Sequence, residues 1–229
     1  MSKPSKRMIV NRESIDSNRR YSLQEAISLL KKASNAKFNE TIDISINLGI
    51  DAKKSEQNVR GSMVLPNGTG KKLKVIVFAQ NEQADAAKNA GADEVGFEDL
   101  AEKIKSGFSE FDLVIATPDT MRVVGQLGQL LGPKGMMPNP KDGTVTKNVE
   151  DAVIKAKTGQ VRFRNDKGGI VHCSIGKIDF SEESIKENLE SFLDEIVKSQ
   201  PSSAKGVFIK KVTVSSTMGP GITIDHSTI

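Results

Sequence analysis

Polar and apolar residues are arranged along this chain in two distinct styles. Ile42, Ile44, Ile46 and Leu48 alternate with Asp43, Ser45 and Asn47, the two-residue period of a strand with one face in water. Upstream, Ser22-Leu-Gln-Glu25 has the form of a capping box, and Leu23, Ala26, Ile27 and Leu30 recur on one helical face, which predicts an amphipathic helix to about Ala33. Met63 to Leu65 reads as a further strand. Beyond Gly68 the style changes. Leu73 to Ala79 and Phe111 to Ala116 are continuous apolar runs, the first followed by a helix from Glu82 to Ala90 that Gly91 stops, the second entering a helix at Pro118 or Asp119. Uninterrupted apolar strands separated by helices predict a parallel sheet covered on both faces, a Rossmann-like α/β arrangement.

After Gly159 alternation returns. Gln160 to Arg164 predicts a strand, Asn165-Asp-Lys-Gly-Gly169 a turn, and the residues through Ile175 a second strand. A long helix follows with Ile185, Leu189, Phe192 and Ile196 inward, and Val207 to Val214 and Ile222 to Ile224 add two more strands. Neither outer segment holds enough strands for a sheet of its own. The predicted fold is therefore a discontinuous α+β domain, residues 1–67 plus 159–229, with a Rossmann-like α/β domain of residues 68–158 inserted. Two chain crossings make a hinge at Asn67, Gly68 and Gly70 on one strand of linker and at Thr158 and Gly159 on the other.

Composition narrows the function classes. The chain has 229 residues, 37% hydrophobic and 27% charged, a globular balance with room for one or two real cores. No apolar run approaches the ~20 residues that span a bilayer, so no membrane segment is expected. The basic opening, Met1 to Arg7, leads only into Met8, Ile9 and Val10, too short for a secretory signal. One cysteine, Cys173, and two histidines, His172 and His226, exclude an internal disulfide and leave too few ligands for a Cys-based zinc site. The expected setting is soluble, reducing and cytoplasmic, with no metal or cofactor.

Charge is unevenly spread. Residues 1–67 carry 12 Lys and Arg against 7 Asp and Glu, residues 68–158 carry 12 against 13, and residues 159–229 carry 9 against 9. Within the last segment, Ser181 to Lys198 holds six of those nine acids, so the strands and loops around it are basic. The outer segments thus have a polyanion footprint, against the blander reading of scattered solvated lysines.

Catalytic chemistry finds no support. Asn67-Gly-Thr-Gly-Lys-Lys72 lacks the earlier glycine and the following hydroxyl of a phosphate loop, and its strand follows the glycines instead of preceding them. Leu73 to Ala79 leads into Gln80-Asn-Glu-Gln83, not the glycine-rich turn of a dinucleotide site. His172 and Cys173 are neighbours in a strand and point to opposite faces, so they form no nucleophile and base pair. With 9 Phe, 1 Tyr and no Trp, a base-stacking platform for single strands is thin, and folded RNA read through phosphate, ribose and shape fits better.

Three stretches stand out. Leu131-Gly-Pro-Lys-Gly-Met-Met-Pro-Asn-Pro-Lys-Asp-Gly-Thr144 packs three prolines and three glycines into a loop bearing Lys134 and Lys141, suited to nucleic-acid contact, closure on the other domain, or simple capping. Ser215-Ser-Thr-Met-Gly-Pro-Gly221 ends a strand in hydroxyls and a tight turn able to bond phosphate or ribose, or is an ordinary hairpin. Lys37-Phe-Asn-Glu-Thr41 opens the first alternating strand with Phe38 among polar residues, where core is the plainer reading and contact the alternative.

These motifs, together with Asp51 to Gly61, Ala116-Thr-Pro-Asp119, Val161 to Lys167 and Ser216-Thr-Met-Gly-Pro220, closely resemble the bacterial ribosomal protein L1 family, in one order and almost end to end. The resemblance implies a structural, non-enzymatic large-subunit protein without cofactor, monomeric off the ribosome, that binds the stalk of the large-subunit rRNA. It further implies support for release of deacylated exit-site tRNA and repression of translation through the chain's own messenger leader. By resemblance the RNA face comprises Lys37, Phe38 and Thr41, then Asp166, Lys167 and His172, then Ser216, Thr217, Met218 and Gly219, with Lys134 and Lys141 left to tRNA or interdomain contact. The competing classes are a nucleotide-using enzyme and a general nucleic-acid chaperone.

Overall fold

The computed structural model describes residues 8–11, 15–16 and 19–225; the basic stretch Met1 to Arg7 and His226 lie outside the described residues. In chain order the main elements are α1 (Leu23–Ala33), β1 (Thr41–Leu48), β2 (Arg60–Val64), β3 (Val75–Phe78), α2 (Glu82–Asn89), β4 (Glu94–Gly96), α3 (Glu98–Lys105), β5 (Leu113–Ala116), α4 (Met121–Gln126), α5 (Gly128–Leu131), α6 (Val149–Lys157), β6 (Gln160–Arg164), β7 (Ile170–Lys177), α7 (Glu182–Lys198), β8 (Ile209–Ser216) and β9 (Ile222–Ile224). Contacts group the chain into two units, one running to Gly70 and resuming at Val161, the other Lys71–Gln160.

The terminal unit is built on an antiparallel sheet of order β7-β1-β8-β9, with β2 and β6 forming a separate two-stranded ribbon. The expected alternation holds: Ile42, Ile44, Ile46 and Leu48 are buried and the residues between them are partly exposed. Helix α1 starts at the capping box foreseen in its sequence, Ser22 accepting from the Glu25 amide and Glu25 accepting from the Ser22 amide. Its apolar stripe joins Ile185, Leu189, Phe192 and Ile196 of α7 and the inner residues of the sheet in one core. Phe163 of β6 meets Phe192 edge-on at 5.6 Å between ring centres, and a Cβ at Gly61 would lie 2.8 Å from the Phe163 ring, so β2 needs glycine where it crosses that aromatic.

The inserted unit has a parallel sheet of order β4-β3-β5. Its apolar runs are continuous because both faces are covered. Val75, Val77, Leu113 and Ile115 pack with α2 and α6, while Ile76, Phe78, Val114 and Ala116 pack with α3, α4 and α5. Strand β4 with helices α3 and α6 had no expectation attached to it in the sequence. Among the described residues no helix is long and apolar enough to cross a membrane.

Where the chain leaves the terminal unit, Asn67 is held by α7. The Asn188 side chain, fully buried, accepts from the Asn67 amide at 3.0 Å and donates to the carbonyls of Gly68 (3.0 Å) and Ile175 (2.8 Å). Gly68, Gly70 and Gly159 take φ of 64°, 67° and 104°, values that exact a steric cost from any residue with a Cβ. Asn188→Ala should therefore destabilise the terminal unit by about 1–3 kcal/mol for each buried group it strips of its partner; an unshifted urea midpoint would show that water replaces the amide without loss.

Candidate nucleic-acid interface

One side of the four-stranded sheet is polar. Strand alternation sends Thr41, Asp43, Ser45 and Asn47 outward from β1, and the register sets Ser45 opposite both His172 of β7 and Thr213 of β8, with Thr213 opposite Thr223 of β9. The Ser45 hydroxyl shares a 3.0 Å hydrogen bond with His172 Nδ1, and His172 Nε2 lies 3.7 Å from an Asp166 carboxylate oxygen. Hydroxyls, an amide and an imidazole on a shallow face offer the bonding groups that ribose and phosphate require, with few competing carboxylates.

The residues expected at the RNA face fall into two groups at opposite ends of this sheet. At the Thr41 end, Lys37, Phe38 and Thr41 meet the turn of Ser216 to Gly219. Thr217 Oγ1 accepts from the Thr41 amide at 3.0 Å and donates to the Thr41 carbonyl at 3.3 Å. Phe38, for which core was the plainer reading, is 54% exposed, and Met218 is 45% exposed. At the other end the turn holding Asp166 and Lys167 leads into Ile170, which pairs with Asn47. His172 stands on the face between them, and the two ends are separated by the length of β1, about 23 Å at ~3.3 Å per residue.

Three more of the expected contacts have internal duties. Ser216 is buried, because the alternation that turns Ser215 outward turns Ser216 inward, so its hydroxyl is enclosed beneath the turn and not offered to a partner. Gly219 closes over it: a Cβ there would lie 2.5 Å from Ser216 Oγ. Asp166 accepts from the amides of Ile170 and Gly168, both at 2.8 Å, and the Ile170 bond foremost holds its pKa below the ordinary carboxylate value, with Gly168 and nearby His172 adding to it. It shapes the turn that displays Lys167.

The residue that organises the Thr41 end is Glu40, to which the sequence attached no role. Its side chain is 1% exposed. One carboxylate oxygen accepts from Ser34 Oγ at 2.6 Å and the Ala36 amide at 3.2 Å, the other from the Met218 amide at 2.9 Å. Burial opposes its charge, but the Ser34 bond and the two amides outweigh that, helped by the Ser216 hydroxyl from outside hydrogen-bonding geometry, and its pKa is lowered. Glu40 thus ties the segment carrying Lys37 and Phe38 to the turn carrying Thr217 and Met218. Its link to the turn is not legible locally, since the Met218 amide that it accepts from lies 178 residues away in the chain.

In the inserted unit, the carboxyl ends of β3 and β5 flank the place where a doubly wound sheet would take a nucleotide. That crevice is lined by Gln80, Asn81, Glu82, Gln83, Thr117 and Asp119. It carries carboxylates and no cation, the wrong sign for phosphates. The Lys134 and Lys141 side chains are exposed on an ordered loop in which Asn139 Oδ1 caps the Lys141 amide at 2.9 Å and Thr144 Oγ1 accepts from the Asn139 amide at 2.7 Å.

Residues 30–220 match the Ribosomal protein L1p/L10e family. The chain is similar to proteins called large ribosomal subunit protein uL1 in two strains of Vibrio vulnificus, YJ016 and CMCP6; each is 60% identical over 229 residues, covering all of this chain and 98% of the relative.

Because the pKa of Glu40 is lowered on folding, its carboxylate stabilises the fold above the ordinary carboxylate range, and that contribution fades as pH falls through the lowered value. Glu40→Gln should accordingly be less stable than the parent near pH 7, with the gap closing as pH is taken below about 4. A gap of constant size in urea unfolding across that range would mean that shape, not charge, holds the turn.

Proposed function

The chain belongs to the ribosomal protein L1p/L10e family, and we propose that it grips large-subunit rRNA with the polar face of the terminal sheet, anchored at the Phe38 and Met218 end. It is a structural protein of the large ribosomal subunit, not an enzyme, and works on the ribosome in the cytoplasm. One observation carries the choice of surface. Phe38 and Met218 are large apolar side chains left half in water, on two segments that a buried carboxylate pins together beside a hydroxyl-rich face. Exposed apolar groups fixed in position and flanked by hydrogen-bonding groups suit a partner with both ribose faces and phosphate oxygens.

In this reading Lys37 and Lys167 supply counterion-release affinity, Thr41, Thr217 and the backbone at Gly219 set register, and His172 bonds from the centre of the face. Asp166 and Ser216 act through the turns they shape. The RNA is the stalk of the large-subunit rRNA, and a similar fold in the chain's own messenger leader would compete for the same face and repress translation. Lys134 and Lys141 on the inserted unit are offered to exit-site tRNA, whose release the protein supports. Asn67, Gly68 and Gly70, with Thr158 and Gly159, form the hinge. The family resemblance supports these assignments, as does the clustering of basic residues in the segments that build the terminal unit.

The test is a salt-series titration of the purified protein against its own organism's rRNA stalk fragment, with an unrelated hairpin of equal length as competitor. A preference of about 10³-fold or more at physiological salt is expected. Equal binding that collapses with salt would instead make the protein a general nucleic-acid chaperone. Thr217→Ala and Met218→Ala, checked for folding, should each weaken stalk binding ~10-fold or more; unaltered affinity would remove the anchor from that end.

A further inference from the structure

At the far end of the sheet, where β1 finishes and β7 and β8 begin, lysines arrive from three separate segments. Lys210 and Lys211 are consecutive in β8, yet both are exposed. Simple alternation forbids that: with Val212, Val214 and Ser216 buried, the residue at 210 belongs on the inner side. The register of β1 with β8 resolves it, stepping from Asn47 opposite Lys211 to Leu48 opposite Ile209, so that Lys210 is the extra residue of a β-bulge. The bulge turns it outward.

A Cβ at Gly49 would collide with the Val207 carbonyl oxygen, so only glycine lets the strand ends close here. The Gly49 amide donates to the Phe208 carbonyl at 2.6 Å, fixing the loop that bears Lys205.

The second segment is the turn of Asp51 to Gln57, carrying exposed Lys53 and Lys54. Gln57 ties it down on both sides, accepting from the Asp51 amide at 2.7 Å and donating to the Ser203 carbonyl at 3.2 Å, which brings it against the Lys205 loop. The third is the turn of Lys167, joined to the end of β1 by the Leu48 amide donating to the Gly169 carbonyl at 2.9 Å. The acids nearby are Asp51, which caps the Lys53 amide at 3.2 Å, Asp166, which holds its own turn, and Glu56; all three are exposed, against six exposed lysines.

We infer that Lys53, Lys54, Lys205, Lys210 and Lys211 join Lys167 in a second anchor for the phosphate backbone of the same RNA, one sheet length from the Phe38 and Met218 anchor. This rests on the proposed rRNA-binding face and divides its labour. The Thr41 end, with apolar groups and a clamped turn, discriminates among RNAs. The lysine end has charge and one exposed apolar residue, Val207, and contributes affinity without sequence preference.

The experiment compares the full-length protein with Lys53→Ala/Lys54→Ala, Lys210→Ala/Lys211→Ala and, as a control for net charge alone, Lys88→Ala/Lys155→Ala in the inserted unit. Each is titrated against the stalk fragment and the unrelated hairpin over a salt series. Either pair at the sheet end should make the plot of log affinity against log salt shallower by roughly two units, with both RNAs weakened alike and the control pair unchanged. A slope unaltered by both sheet-end pairs, while the parent still prefers the stalk fragment, would overturn the second anchor and leave the proposed rRNA-binding face standing. Equal loss from the control pair would overturn it too, by reducing the effect to net charge. Absence of stalk preference in the parent protein would fail the rRNA-binding reading itself, and the second anchor would fall with it.

Discussion

The ladder that β1 makes with β7 on one edge and β8 on the other is the constraint from which the terminal unit follows. Its partners lie more than 120 residues away in the chain, so closing it requires the whole inserted unit to be looped out between Leu48 and Ile170. Loop-closure entropy grows only slowly with length, which is why an insertion of this size is tolerated, whereas the burial of Ile42, Ile44, Ile46 and Leu48 is gained in full. Break the ladder, and α1 and α7 lose the surface their apolar stripes are built to cover.

The same ladder produces both features that make the outer face useful. Its alternation must expose one residue in two, and here those are hydroxyls, an amide and a histidine, with Asp43 the acid of β1. Its two ends are natural places for irregular chain. At one, a buried carboxylate gathers a loop and a turn; at the other, a bulge breaks the alternation and displays adjacent lysines. Glu40 and the bulge are thus opposite solutions to one problem, holding unpaired chain ends in fixed positions: the first uses a charge shielded from water, the second uses backbone geometry and leaves the charges in water.

The inserted unit shows how far a scaffold can travel from its commonest use. Its order β4-β3-β5 places a crevice where doubly wound proteins bind nucleotides, yet Glu82 and Asp119 stand there and no glycine-rich turn follows β3. The fold alone would suggest a cofactor, and the residues refuse it.

Much of this was written in local patterns. The capping box at Ser22 set the start of α1, the strict alternation of 42–48 named its buried face, and the uninterrupted runs around β3 and β5 announced a sheet covered on both sides, because each signal depends only on neighbours within a few positions. Short β4 is too brief to show a period, whereas α6 does carry one, with Val149, Ala152, Val153 and Ala156 at the i, i+3, i+4, i+7 spacing of a helical face. What only the tertiary structure decided concerns groups whose partners are remote in the chain. That Lys210 escapes the inner face through a bulge against β1, and that Glu40 at the start of β1 meets the Met218 amide beyond the end of β8, follow from strand register. Register is a relation between segments, and no stretch of sequence read by itself contains it.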